Sequence, residues 1–419
     1  MKNKEGFISM TLVYTFLIVF LFLMASILST YTKKSDYLEK IDSKIKEEVK
    51  LDKSPLTGEK DTSIKAVILA ANTVYADNVT STYVTSATGI DFAAKSSLTN
   101  GQGLYTNNKT EDGKNYYFRG GTYCAYTDHT LETDTGPKCI AAGGTWDSTN
   151  KQCNLNLSRS ACEAKGFIYY DLKNNVTFAA HKWRIIRIDE YDNIRMILAD
   201  DVPPNCGSYN SARTDNAHVG YMFGSPIPST TYDGAHTNTN NSTIKACVDA
   251  WYVSSLTSYS SSIADAGYCC DRSLNGSSLG YGTNTSYYSS YTRLVTTPKL
   301  SLNAWCSNSS RDLFTTTTNT NGNKKLANPI GLITFDELRY SGVVGSQSYT
   351  NYLKFNNDYW TMSPYMFSSP SAYNFYIDSR GMLGQTSSGV LYGRPVIALK
   401  PTMKIASGTG TVTDPYVVN

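Results

Sequence analysis

WRIIRIDEYDNIRMIL, residues 183–198, is two short apolar runs on either side of a polar hinge. Isoleucine and tryptophan suit the pleated, half-buried surface of a sheet. Asp189-Glu190-Tyr191-Asp192-Asn193 is a dense turn signal. The stretch therefore reads as an antiparallel hairpin, and it sets the register for what lies on either side. The first run alternates in part, with Trp183, Ile185 and Arg187 on one face and Arg184, Ile186 and Ile188 on the other. Arginines flanking a tryptophan in a strand read as structural groups, a guanidinium stacked on an aromatic ring.

Working outward, NNVTFA at 174–179 and YYFRG at 116–120 read as further strands, the latter after an Asp112-Gly113-Lys114 turn. Towards the C-terminus, Thr334 with Glu337 three residues on forms a capping box that opens a helix over TFDELRY. DYWTMSP at 358–364, a strand at 373–377, a turn at Asp378-Ser379-Arg380-Gly381 and GRPVIAL at 393–399 follow. A final loop and strand close the chain over 408–418. Upstream, SIKAVILAANTVYADN at 63–78 reads as a short helix that buries Ile64, Val67, Ile68 and Val74.

Between YYFRG and NNVTFA lies an insert, 121–173, with four cysteines. Cys139 to Asp147 resembles Cys162 to Tyr170, but the second copy has Val176 where the first has Cys153. The natural pairing is Cys139–Cys153 within the first copy and Cys124–Cys162 across. A second insert, 205–323, is long and rich in Ser, Thr, Tyr, Asn and Gly. Its one ordered island is TIKACVDAWYVSSLTSY at 243–259, a helical stripe of Ile244, Cys247, Val248, Trp251 and Leu256 with a cap at Asn241-Ser242-Thr243. It holds five cysteines, so one stays free or pairs outside the chain. Adjacent cysteines seldom bond each other, which sends either Cys269 or Cys270 to Cys306. His218 and His236, with Asp215 and Asp233, stand in no metal-ligand spacing, and loop histidines of this kind are usually solvated.

The N-terminus is of another character. Residues 7–32, FISMTLVYTFLIVFLFLMASILSTYT, carry no charge, and about 20 apolar residues suffice to span a bilayer as a helix. Lys2 and Lys4 precede the run, and every cysteine follows it. That places the N-terminus in the cytoplasm and the body outside, where disulfides persist. A helical stalk follows at 33–55, with Leu38, Ile41, Ile45 and Val49 on one stripe, ended by Lys53-Ser54-Pro55. The domain plan is thus leader and membrane helix (1–32), stalk (33–55) and an exterior domain (63–419).

Two resemblances bear on function. Lys4-Glu5-Gly6-Phe7-Ile8 resembles the type IV prepilin processing site, which implies cleavage between Gly6 and Phe7 and pilin-like neighbours. Thr11 departs from that family's glutamate at the fifth mature position. The order YYFRG, NNVTFA, WRIIRI, GLITFDEL, YWTMSP, DSRG and GRPVIAL is similar to uncharacterised surface modules of Gram-positive bacteria, related to the C-type-lectin and formylglycine-generating-enzyme fold. This second resemblance implies a mixed α/β domain of α+β class, with an antiparallel sheet and long loops. In such folds ligands meet irregular loops beside the C-terminal strands, where Tyr365, Tyr392, Asn374 and Arg380 fall. Trp360, Tyr373 and Tyr376 read instead as core.

The chain has 32 tyrosines, 17% charged residues and a net charge of +3. That balance advertises no nucleic-acid partner. No Gly-x-Ser-x-Gly, His-Glu-x-x-His or phosphate-binding loop occurs, neither lectin calcium motif is present, and no cofactor is implied. The expectation is a membrane-anchored surface protein that binds a carbohydrate or protein ligand. The alternatives are a minor pilin with an assembly role, and a surface enzyme of unknown reaction.

Overall fold

The computed structural model describes residues 62–72, 74–76, 84–85, 103–107, 115–121, 123–125, 140–141, 145–147, 152–154, 159–164, 168–170, 172–200, 202–291, 299–300, 306–317, 322–341, 343, 351–378 and 381–419. The chain divides into two compact units, Met1–Lys60 and Asp61–Asn419, and the description concerns the second. The apolar run at 7–32, Gly6 and Phe7, and the stalk at 33–55 lie outside the described residues.

The expected architecture is corrected on two points. Among the described residues, no helix is long and apolar enough to cross a membrane. The principal sheet is also mixed, where an antiparallel one was expected. It has nine strands: β1 (Val74–Ala76), β2 (Gly103–Asn107), β3 (Asn115–Arg119), β4 (Asn175–Phe178), β5 (His181–Ile188), β6 (Ile194–Leu198), β10 (Val396–Leu399), β11 (Ile405–Ser407) and β12 (Tyr416–Val418). β1 runs parallel to β2, with Val74 opposite Leu104, and β12 runs parallel to β4, with Tyr416 opposite Val176. Hairpins announce themselves in sequence; parallel partners come from remote segments and leave no local mark.

The expected hairpin is the sheet's centre. β5 pairs with β6 from Trp183 to Ile188. Its opposite edge is shared: β4 takes residues 181–184 and β3 takes 187–188. The turn closes on Asp189, whose carboxylate accepts from the backbone of Tyr191 and Asn193 at 3.0 and 2.8 Å. Alternation along β5 is not strict, however. Ile185 faces Met196 but Arg187 faces Arg195, so Ile186 is an extra residue at a β-bulge. Cross-strand partners share a face. The bulge therefore moves Arg187 from the Trp183 side, where strict alternation put it, to the Arg184 side.

This displacement has a purpose visible in the contacts. On the far face Arg187 meets Glu337 at 3.2 Å and Asn115 at 2.6 Å. Arg195, beside it on β6, also pairs with Glu337. Glu337 belongs to α3 (Phe335–Tyr340), and the expected capping box is formed: Glu337 N–H donates to Thr334 Oγ1 at 3.1 Å, while its carboxylate accepts from Thr334 N–H at 3.0 Å. Burial would raise the Glu337 carboxyl, but Arg195, Arg187 and the cap hold it below its ordinary range. The arginines are structural, but neither stacks on Trp183. That indole donates to the Phe178 carbonyl at 3.0 Å and meets Trp251 edge-on.

A second, wholly antiparallel sheet carries the short strand Ser286–Tyr287, then β7 (Tyr359–Ser368), β8 (Ser371–Asp378) and β9 (Gly381–Thr386). One continuous hydrophobic core joins side chains of both sheets, among them Ile197, Trp360 and Phe375. Gly393-Arg394 finds its explanation here. A Cβ on Gly393 would meet Cys206 Sγ at 2.7 Å. Arg394 is buried, sandwiched 4.6 Å from Phe355 and Tyr359, and donates to the carbonyls of Leu198 and Leu353.

The helix expected over 63–78 is α1 (Ile64–Ala71), capped by Ser63 Oγ on Ala66 N–H at 3.2 Å. It stops sooner than read, because Asn72 is extended and Val74 begins a strand. Ile64 and Ile68 are fully buried, roughly 1.5–3 kcal/mol each.

The largest revision concerns 205–323, read as a loop-rich insert. It packs into the main core through Tyr209, Tyr221, Ile244, Val248, Tyr252 and Leu256. Its helix α2 (Thr243–Ser255) is capped by Ser242, as the sequence implied. Disulfides join Cys206 to Cys247 and Cys269 to Cys306, and Cys270 is a buried free thiol, pushed up to about 11 by burial. The polar composition is spent inside. Arg272, fully buried, donates to Asp312 at 2.8 Å, to the Met222 carbonyl at 2.9 Å and to Asn238 at 2.9 Å. Asn216 Nδ2 faces the carbonyls of Tyr281, Gly282 and Asn284. A segment that looks solvated by composition is a second, hydrogen-bonded core.

Candidate binding surface

β7 does not run smoothly against β8. Trp360 faces Tyr376, Pro364 faces Asn374 and Met366 faces Tyr373, with register shifts between each. Pro364 has no N–H for the ladder, which makes a strand interior give way there. The carbonyls freed at this irregularity are taken by a neighbouring segment: Ser290 Oγ donates to Pro364, and Tyr288 N–H donates to Tyr365 at 3.5 Å. Residues 286–291 are thereby laid along β7.

The consequence is a ladder of rings. Tyr287 lies tilted 4.7 Å from Tyr291, Tyr291 meets Tyr365 at 4.9 Å, and Tyr365 meets Phe375 edge-on at 4.7 Å. Tyr287 is 37% exposed while Phe375 is fully buried, so the ladder runs from solvent to core. Burial, with the neighbouring Tyr291 and Tyr287, pushes the Tyr365 hydroxyl above its ordinary range.

Of the four residues singled out in sequence, Tyr365 stands in this ladder. Tyr392 is half-buried against the main core, its backbone tied to Asp358 and Trp360. Asn374 is fully buried, donating to the Val219 carbonyl at 2.8 Å and accepting from Ser387 at 2.7 Å; its amide is consumed within the fold. Arg380 lies outside the described residues. Trp360 and Tyr376 are buried, as read. Tyr287 and Tyr291 were missed, although their i, i+4 spacing in YYSSY was a signal.

In the cysteine insert, Cys162 is buried and disulfide-bonded. Cys139 and the side chains of Cys124 and Cys153 lie outside the described part. The backbone pairs Tyr123–Ala125 with Ile168–Tyr170, and Thr145–Asp147 with Gln152–Asn154.

Among the described residues, no group of three His, Cys, Asp or Glu side chains could hold a metal ion. His218 and His236 are not solvated but buried. His236 sits between Tyr232 and Tyr288, 4.9 and 6.2 Å away. Burial, with Arg272 and Arg311 nearby, pushes its imidazole well below the ordinary range. Asp215 is used by Ser229 and the Ala217 N–H. Comparison with protein-family models, curated proteins and solved structures finds no match to this chain.

Proposed function

We propose that the chain is an exterior-facing binding protein whose ligand, a surface carbohydrate or protein, is met by the Tyr287–Tyr291–Tyr365 ladder. The observation that carries the reading is the graded exposure of that ladder, an aromatic contact braced from behind by Phe375. Tyrosine suits such a surface because its ring buries apolar area while its hydroxyl stays wet. The Cys206–Cys247 and Cys269–Cys306 disulfides support an oxidising location outside the cytoplasm.

The test is a Tyr287→Ala/Tyr291→Ala double variant, compared with the unaltered chain on immobilised glycans and on protein-stripped and glycan-stripped cells. Binding by the unaltered chain, lost in a variant with unchanged melting temperature, supports the reading. The stripped cells tell which ligand class is involved. Equal binding by the folded variant, or none by the unaltered chain, would sink it.

A further inference from the structure

Lys245 is the most deeply buried amine described, with 3% of its side chain exposed. It lies in the first turn of α2, on the face that carries Ile244, Val248 and Tyr252 into the core. Its Nζ donates to Asp249 Oδ2 at 2.6 Å. The other oxygen of the same carboxylate, Oδ1, accepts from the side-chain amide of Asn328 at 3.5 Å. An amine and a carboxamide thus stand on the two oxygens of one carboxylate.

Both sides of this arrangement are held. α2 is anchored by its Ser242 cap and by the Cys206–Cys247 bridge. Asn328 is held by the residues after it: the Pro329 carbonyl accepts from Tyr268 at 2.9 Å, and Gly331 exchanges two backbone hydrogen bonds with Val396. A Cβ on Gly331 would meet the Tyr268 ring at 2.5 Å, so this segment is packed to the backbone.

We propose that Lys245 and Asn328 condense to an intramolecular amide, with Asp249 as the proton relay. The buried ammonium gives a proton to Asp249 Oδ2, which leaves a neutral amine beside the carboxamide. Nζ attacks Cγ of Asn328, and a new C–N bond forms. With that proton shifted to Oδ1, the carboxyl group delivers it to Nδ2 and takes one of the two remaining amine protons on Oδ2, the other staying on the new amide. The Cγ–Nδ2 bond breaks and ammonia leaves; the proton now on Asp249 passes to it by way of solvent, which restores the carboxylate. The products are one amide and one ammonium ion, and no oxidant, reductant or cofactor enters. Such proximity replaces a bimolecular encounter with an intramolecular one. Ammonia loss by the rival route, attack of the following backbone nitrogen on Asn328, is closed because residue 329 is proline and has no N–H.

The experiment is mass spectrometry of the full chain, reduced and alkylated, followed by proteolytic mapping. The expected result is one branched peptide joining Lys245 to Asn328, lighter by one ammonia than its two linear parts and unaffected by reductant. Lys245→Arg keeps the ion pair with Asp249 but is a far poorer nucleophile, so it should fold and give linear peptides of full mass. Asp249→Asn should do the same wherever it folds. Recovery of Lys245 and Asn328 in separate, unaltered peptides from the folded chain overturns the proposal. So does a branched peptide that persists in Asp249→Asn, since the relay would then be misassigned.

Discussion

Replacing Glu337 by glutamine is the sharpest probe of how this fold is held together. Glutamine keeps the shape and can still serve the cap with Thr334. It removes the one negative charge that faces both Arg187 and Arg195. Arg187 would retain Asn115 and a Glu190 contact at 3.5 Å. Arg195 would retain the Gly267 carbonyl at 2.8 Å and its place over the Tyr268 ring, but among the described residues no carboxylate besides Glu337 pairs with it. Removing one partner of a buried ion pair costs about 3–5 kcal/mol, because the other charge is left in a poor solvent. With urea slopes of about 1–3 kcal/mol per molar, the unfolding midpoint should fall by about 1 M or more, with the slope unchanged. The pH dependence gives a second handle. The folded Glu337 carboxyl lies below its ordinary value of 4.5, so its contribution is complete above that value and is lost as pH falls through the folded pKa. The gap between wild type and variant should be constant near neutrality and narrow in acid. A loss under about 1 kcal/mol, the range of an exposed pair, would refute the account.

Other outcomes follow from the same contacts. His236 resists protonation when folded, while the unfolded chain titrates near the ordinary 6.5; stability should therefore drop as pH falls below that value, and His236→Phe should flatten the drop in thermal melts across pH. Breaking Cys206–Cys247 by a double serine substitution opens a loop with a sequence separation of 41, which should cost about 4 kcal/mol in the chain-entropy model, measured by urea titration. Cys270 should resist iodoacetamide in the folded chain and react on unfolding, with Cys269 and Cys306 recovered together in unreduced peptides. Asn374→Ala should lower stability by about 1–3 kcal/mol, because the Val219 carbonyl loses its donor.

The strands flanking the central hairpin were legible because each is a compact apolar run bounded by turn residues. The Thr334–Glu337 cap and the Ser242 cap of α2 were legible because short-range side-chain to backbone bonds follow fixed spacing. What escaped is non-local. The parallel partners of β2 and β4 are far away in sequence, and a one-residue bulge in β5 reversed the placement of Arg187 without any Gly or Pro to announce it. The segment 205–323 misled for a different reason. Asn216, Ser229 and Asn238 look like solvated loop residues, yet they are buried, the two amides donating to backbone carbonyls and the Ser229 hydroxyl to the Asp215 carboxylate. Composition reports polarity, and here polarity is not exposure. Asn374 illustrates the same error at the candidate surface.

The shared edge of β5 has one more implication, for how this chain can be rebuilt. β3 and β4 run in the same direction along that edge, one after the other: Tyr117 stands opposite Arg187, and Asn175 opposite Arg184. Three residues of strand separate those positions, about 10 Å, although the chain travels from 117 to 175 between them. The two strands are the halves of a single sheet row, and the cysteine-rich insert at 121–173 leaves and rejoins that row almost at one point. Such a branch point is a natural graft site, where the cassette between Gly121 and Leu172 can be exchanged and the cut ends closed by a short linker, provided Leu172, which packs in the main core, is kept.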